Sequence, residues 1–164
     1  MSDAEHDPDA LARRCAAVMY EADAASQGLG MEIVDVAAGR ATVRMAVTAR
    51  MLNGHGIGHG GYTFMLADSA FAFACNGYDV ATVAASCDIV FVSPTRAGDV
   101  LEATAVERHR TSRRGVYDVT VVRVSGDTPR DVVAEFRGVS RSTREPVLDR
   151  TPIRAHTDEG TPTP

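Results

Sequence analysis

One aspartate stands where its surroundings offer it nothing. In the run Phe64-Met65-Leu66-Ala67-Asp68-Ser69-Ala70-Phe71, the residues three and four positions from Asp68 are Phe64, Met65, Phe71 and Ala72. None can neutralise a carboxylate, and burying one unpaired costs several kcal/mol, roughly. Two readings are open. Asp68 is either a structural carboxylate bonded to a strand or across an interface, or a catalytic base or nucleophile poised by an apolar pocket.

Just before it lies a glycine-rich loop, Asn53-Gly54-His55-Gly56-Ile57-Gly58-His59-Gly60-Gly61. Gly56, Gly58 and Gly61 fit the spacing of a dinucleotide-binding fingerprint. The context does not fit, because no strand leads directly into the loop and no parallel repeats follow the helix. His55 and His59 are four apart, yet the glycines between them disfavour a helix and no third metal ligand is evident. What remains is a helix opened by Gly60 and Gly61, whose free amides and positive dipole end suit a developing oxyanion. The alternative is a turn that needs glycine dihedrals. A third cluster, Arg108-His109-Arg110-Thr111-Ser112-Arg113-Arg114, packs four arginines into seven residues. It reads either as a phosphate-binding patch or as a solvated hairpin turn.

Composition narrows the chemistry. All 17 basic residues are arginine, which excludes Schiff-base chemistry and Walker-type phosphate loops, both of which need lysine. A formal net charge of -5 argues against generic nucleic-acid or anionic-membrane binding. The polar, acidic start MSDAEHDPDA is unlike a signal or transit peptide, and no apolar run reaches a membrane-spanning length. Cys15, Cys75 and Cys87 are odd in number and far apart, which reads as reduced thiols in a cytoplasmic protein.

The elements that must position these groups follow from periodicity. Residues 8–21 read as an amphipathic helix capped by Asp7, with Pro8 in its first turn and Leu11, Cys15, Val18 and Met19 as its stripe. Two strands follow, near 31–37 and 40–47, joined at Ala38-Gly39. From Tyr62 to Asn76 the chain is apolar almost all round, so this helix must be wrapped. Strand-like runs at 81–92, 100–110, 115–124 and 131–141 supply the wrapping, and their succession predicts a largely antiparallel sheet. The fold class is therefore α+β: one antiparallel sheet curled round one long helix. A single domain over residues 1–141 is expected, with residues 142–164, rich in proline and poor in apolar residues, as a disordered tail.

The motifs carry a resemblance. Met51-Leu52-Asn53-Gly54-His55, His59-Gly60-Gly61, Leu66-Ala67-Asp68, Ala70-Phe71-Ala72 and Ala74-Cys75-Asn76 occur in order. With Ala97-Gly98-Asp99, Gly115-Val116-Tyr117-Asp118 and Phe136-Arg137-Gly138, they resemble the hotdog-fold thioesterases of phenylacetic acid degradation, over about residues 14–141. The resemblance implies a hotdog fold, dimers paired into a homotetramer, and hydrolysis of aryl- or phenylacetyl-coenzyme A thioesters. It implies Asp68 as the catalytic carboxylate and the Gly60 amide as oxyanion donor, with Asn53 and His59 lining the site. Gly56, Ile57 and Gly58 replace bulkier or polar family residues.

An acyl-coenzyme A thioesterase is the resulting expectation. Gly61, Tyr62, Phe64, Met65 and Phe71 would border the substrate, and a short aromatic or medium acyl group would fill the pocket. Arg108, Arg110, Arg113 and Arg114 would include the contacts to the coenzyme A phosphates; this assignment rests on charge density and not on the resemblance. No metal or redox cofactor is required, since a thiolate is already a good leaving group. The alternatives are a non-catalytic acyl-coenzyme A sensor, or a hydratase using His59. Gly60 and Asp68 lie eight residues apart, about 12 Å along a helix, so one chain cannot easily bring both to one carbonyl. Each site should then be shared between two chains of a homodimer.

Overall fold

Alanines decide how closely the central helix can approach its sheet. The computed structural model describes residues 7–124 and 131–149. Its order is α1 (Pro8–Glu21), α2 (Ala24–Gly28), β1 (Glu32–Ala37), β2 (Arg40–Ala46), α3 (Gly60–Cys75), β3 (Thr82–Phe91), β4 (Val100–Arg110), β5 (Arg114–Arg123) and β6 (Asp131–Ser142). All six strands form one antiparallel sheet ordered β1-β2-β4-β5-β6-β3. Ala41 pairs with Ala105 and Val43 with Ala103 across β2 and β4. These strand residues are fully buried in the same core as Ala67, Ala70 and Ala74 of α3. Short side chains on both surfaces let helix and sheet pack at close range.

Local chemistry sets the ends of the elements. Asp7 caps α1 by accepting from the Asp9 amide at 2.9 Å, with Pro8 at the first helical position. Asp9 in turn accepts from the Ala38 amide at 2.9 Å, which ties α1 to the β1–β2 turn. Gly39 turns that hairpin at a φ of +70°, a region favoured by glycine. At the far end of α3, Asn76 bonds Thr82 through both side-chain atoms, donating at 2.9 Å and accepting at 2.8 Å, and so starts β3.

Three features differ from the sequence expectations. The five-residue α2 and a short 3-10 turn at Ala49–Met51 lie outside them, being too short to show a period. Strand β3 does not neighbour β4, its successor in the chain, but pairs with β6 at the sheet edge. The eight-residue link that carries the chain across is pinned by Arg123, which donates to the Pro94 carbonyl and to Asp99 and Asp131. The expected disorder from Ser142 onward does not hold for the first residues of that stretch. Ser142 ends β6, and Asp79 accepts from the amides of both Val147 and Leu148 at 2.9 Å. Val147 is buried against Cys15 and Ala81. The remainder of the expected tail, residues 150–164, lies outside the described residues.

The sheet covers only part of α3. Leu66, Ala67, Ala70, Phe71, Phe73 and Ala74 are buried, whereas Gly61, Met65, Asp68 and Ala72, at helical spacing, form a stripe the single chain leaves partly open. Beside that stripe runs β3, a ten-residue edge strand whose Val83, Val90 and Phe91 are all more than half exposed.

Candidate active site

Asp68 projects from the middle of α3 toward β3. The Cys87 thiol lies 4.0 Å from its Oδ1, and among the described residues no arginine pairs with it. Burial pushes its carboxyl above the ordinary aspartate range. The same burial raises the Cys87 thiol, and the Asp68 charge raises it further. A β-bulge between Ala84 and Ser86 sets the facing of the rest of β3. Beyond it, Cys87 and Ile89 pack toward the core while Asp88 and Val90 point outward.

The opposite end of the site is the start of α3. His59 is its N-cap, and its Nδ1 accepts from the Gly61 amide at 2.9 Å. Its main-chain carbonyl accepts from Tyr62 at 3.0 Å. Among the described residues the Gly60 amide has no acceptor, so the helix start presents one unclaimed donor at its positive end. The Phe91 ring lies over Gly60 so closely that a Cβ there would come within 2.8 Å of it. The loop before the helix is closed by Asn53, whose amide donates to the Ile57 carbonyl and whose Oδ1 accepts from the His55 amide. Gly58 docks that loop on the link after β3, donating to the Thr95 carbonyl at 2.8 Å. A Cβ at Gly58 would overlap the Thr95 hydroxyl, at 1.9 Å.

Asp68 and Gly60 therefore lie on the same helix, α3, but stand about 12 Å apart along it. Tyr62, Phe64 and Met65 lie half-buried between them, Phe64 with its ring edge on Phe136 at 5.5 Å. Phe71 is placed differently from the sequence expectation. It is 1% exposed, packed between Tyr117 and Phe136 and against Gly138, and belongs to the core and not to an open pocket wall. The arginine cluster also divides. Arg108 pairs with Asp118 at 2.9 Å; Arg110 reaches Glu107 at 3.5 Å and lies 3.7 Å above the Tyr78 ring. Arg113 and Arg114 have no carboxylate partner among the described residues. Sequence reasoning does not single out Cys87, Phe91 and Thr95, because only the edge placement of β3 brings them to α3.

A six-stranded antiparallel sheet curled round one long helix is the hotdog thioesterase architecture. Comparison with known proteins agrees. Residues 55–129 match the model of the thioesterase superfamily. The acyl-coenzyme A thioesterase PaaI of Escherichia coli is 50% identical over 122 residues, 74% of this chain and 84% of that protein. The solved structure of the E. coli PaaI protein from the phenylacetic acid degradation operon superposes with a TM-score of 0.80 at 45% identity, covering 84% of this chain and 97% of that one. A variant of the phenylacetic acid degradation protein PaaI from Thermus thermophilus gives a TM-score of 0.66 at 37% identity, covering 72% and 97%. The chain belongs to the thioesterase superfamily, among its PaaI-like hotdog members, and is a thioester hydrolase. Among the described residues no helix is long and apolar enough to cross a membrane.

Proposed function

We propose that this protein hydrolyses acyl-coenzyme A thioesters, with Asp68 as the reacting carboxylate and the Gly60 amide of a second copy as the oxyanion donor. The observation that carries the reading is the pairing of a half-buried, cation-free carboxylate at mid-helix with an unclaimed amide at the helix start. The amide polarises the thioester carbonyl. Asp68 then takes a proton from an attacking water, or attacks the carbonyl carbon itself and is regenerated when water cleaves the mixed anhydride. By either route one water is consumed, the C–S bond breaks, and a free acid and the thiol of coenzyme A are released. The chemistry asks for no metal or redox cofactor, because the leaving group is a stable thiolate.

The second copy enters for geometric reasons. A carbonyl must lie roughly 3 Å from both attacker and donor, which a separation of about 12 Å on one helix forbids. Antiparallel pairing of two β3 edges about a two-fold axis would run two α3 helices past each other. Gly60 of each would then approach Asp68 of its partner. It would also cover the open stripe of α3 and remove a long apolar edge, which otherwise invites uncontrolled strand pairing. Two such dimers forming a homotetramer, and a cytoplasmic setting in keeping with the unpaired Cys15, Cys75 and Cys87, complete the proposal. Asn53 holds the loop and His59 the helix cap, so both act on the site by position.

The hydratase reading finds less support. His59 Nδ1 is occupied as an acceptor, so the neutral ring carries its proton on Nε2 and has no lone pair free to act as a base. The acyl group is proposed to be a phenylacetyl or other compact aryl group, a reading supported by the half-buried Tyr62, Phe64 and Met65 on α3 between Gly60 and Asp68 and by the Phe91 ring over Gly60. A panel of coenzyme A esters assayed with a thiol reagent tests both substrate class and acyl group. Phenylacetyl and benzoyl esters should lead the panel in kcat/KM. Palmitoyl far ahead would overturn the acyl assignment, and silence toward every ester would overturn the activity.

A further inference from the structure

The chain has two asparagines, Asn53 and Asn76, and each is followed by a glycine. Asparagine before glycine is chemically unstable, because a backbone nitrogen with no Cβ beside it can attack the side-chain carbonyl. The sequence makes the two sites equal, and the structure does not. Asn76 is 4% exposed, and its side-chain amide is bonded through both polar atoms. Its Nδ2 donates to the Ala72 and Thr82 carbonyls, each at 2.9 Å, and its Oδ1 accepts from the Thr82 amide at 2.8 Å. Gly77 is packed so that a Cβ there would meet that of Ala12 at 3.0 Å. Reaction at Asn76 would break these buried hydrogen bonds, so it must wait for the fold to open.

Asn53 stands in the loop before α3, half-buried itself and followed by the exposed Gly54, His55 and Gly56. Its Oδ1 accepts from the His55 amide at 2.9 Å, a bond that arches over Gly54 and polarises the side-chain carbonyl. Among the described residues the Gly54 amide has no acceptor and the Asn53 Nδ2 has no partner. The attacking nitrogen and the departing one are therefore both free. Outside its chain neighbours, no atom lies within 4 Å of the place a Gly54 Cβ would take.

We infer that Asn53-Gly54 is a self-modification site, at which the folded protein loses ammonia, takes up water and inactivates itself with age, while Asn76-Gly77 is protected. The Gly54 nitrogen gives up its proton and bonds to the Asn53 side-chain carbon. The bond from that carbon to Nδ2 breaks and ammonia leaves, closing a cyclic imide. Water then opens the imide at one of its two carbonyls, giving aspartate or an isoaspartate whose backbone is one carbon longer. One water is consumed and one ammonia released, and both products gain a negative charge. The loop cannot absorb the extra carbon unchanged. Asn53 donates its amide to the Ile57 carbonyl at 2.8 Å and accepts from the Gly56 amide at 3.0 Å, while the His59 amide donates to the Met51 carbonyl at 2.8 Å. A lengthened turn disturbs these bonds and with them the approach to Gly60, and the new charge opposes an oxyanion forming there. The loss of activity rests on the proposed thioesterase reading; the modification itself does not.

The test ages the whole protein in mildly alkaline buffer and follows each asparagine by peptide mass mapping, with isoaspartate counted by enzymatic methyl labelling. Asn53 should convert in the folded protein and Asn76 should not; in denaturant both should convert. The rate at Asn53 should rise with pH, because the attacking nitrogen must lose its proton. Gly54→Ala is the blocking variant. Its Cβ has room, and the backbone there is not left-handed, so the fold should accept it. It should slow conversion at Asn53 about tenfold or more. Thioesterase activity of the wild type should fall in step with the converted fraction, whereas Gly54→Ala should keep its own starting activity over the same period. An unmodified Asn53 in folded protein, or equal conversion of Asn76, would overturn the inference. Full conversion with undiminished activity would overturn the inactivation. If the fresh wild type hydrolyses no thioester, the thioesterase reading fails while the mass map still decides on Asn53.

Discussion

Asp68 is a residue whose environment costs stability, and the cost has a sign that can be measured. Its carboxyl titrates above the ordinary aspartate range because burial disfavours the charge. Between the unfolded and folded values the native state holds the proton more tightly, so stability falls as pH rises through the folded value. Asp68→Asn removes the penalty. The variant should therefore melt higher than wild type near pH 7, and the gap should close as pH falls toward the unfolded aspartate value. Its turnover should drop roughly 100-fold or more, the loss expected when the proposed reacting carboxylate is removed. Melting curves over pH alongside kcat check both halves. Near wild-type turnover in a folded variant would remove Asp68 from the chemistry.

At the scale of elements, the loop before α3 depends on one missing side chain. Gly58→Ala would drive its Cβ into the Thr95 hydroxyl, at 1.9 Å, and should cost about 1–3 kcal/mol. It should also lower kcat/KM by shifting Gly60, two residues on. Thr95→Ala in the same chain should return part of the stability by removing the clashing oxygen; no recovery at all would mean that the strain lies elsewhere. The elements themselves are legible where a period is long enough. Alternation predicts a strand over 100–110 and β4 spans Val100–Arg110, while the Asp7–Pro8 start of α1 follows from capping chemistry. The open arrangement around α3 is not legible, because it depends on β3 leaving β4 to pair with β6. That pairing is what sets Cys87 beside Asp68 and Phe91 over Gly60, neither of which any local pattern announces. Residues 143–149 mislead for a related reason. One carboxylate, Asp79, holds them from a distant part of the chain, while their composition reads as a tail.

For the whole molecule, the decisive question is whether one chain makes a site at all. A lone chain leaves Asp68 and Gly60 about 12 Å apart, an α3 stripe open, and β3 unpaired on its outer edge. A two-fold dimer resolves all three conditions together. The direct measurement mixes two inactive proteins, Asp68→Ala and Gly60→Pro, the second lacking the amide hydrogen. Both are first shown to fold by circular dichroism and to exchange subunits by native mass spectrometry. In a heterodimer with shared sites, one site receives both defects and the other receives none, so thioesterase activity should return to about a quarter of wild type at equal mixing. If each chain holds its own complete site, every site keeps a defect. A mixture of folded, exchanging variants that stays inactive would contradict the shared Asp68–Gly60 site.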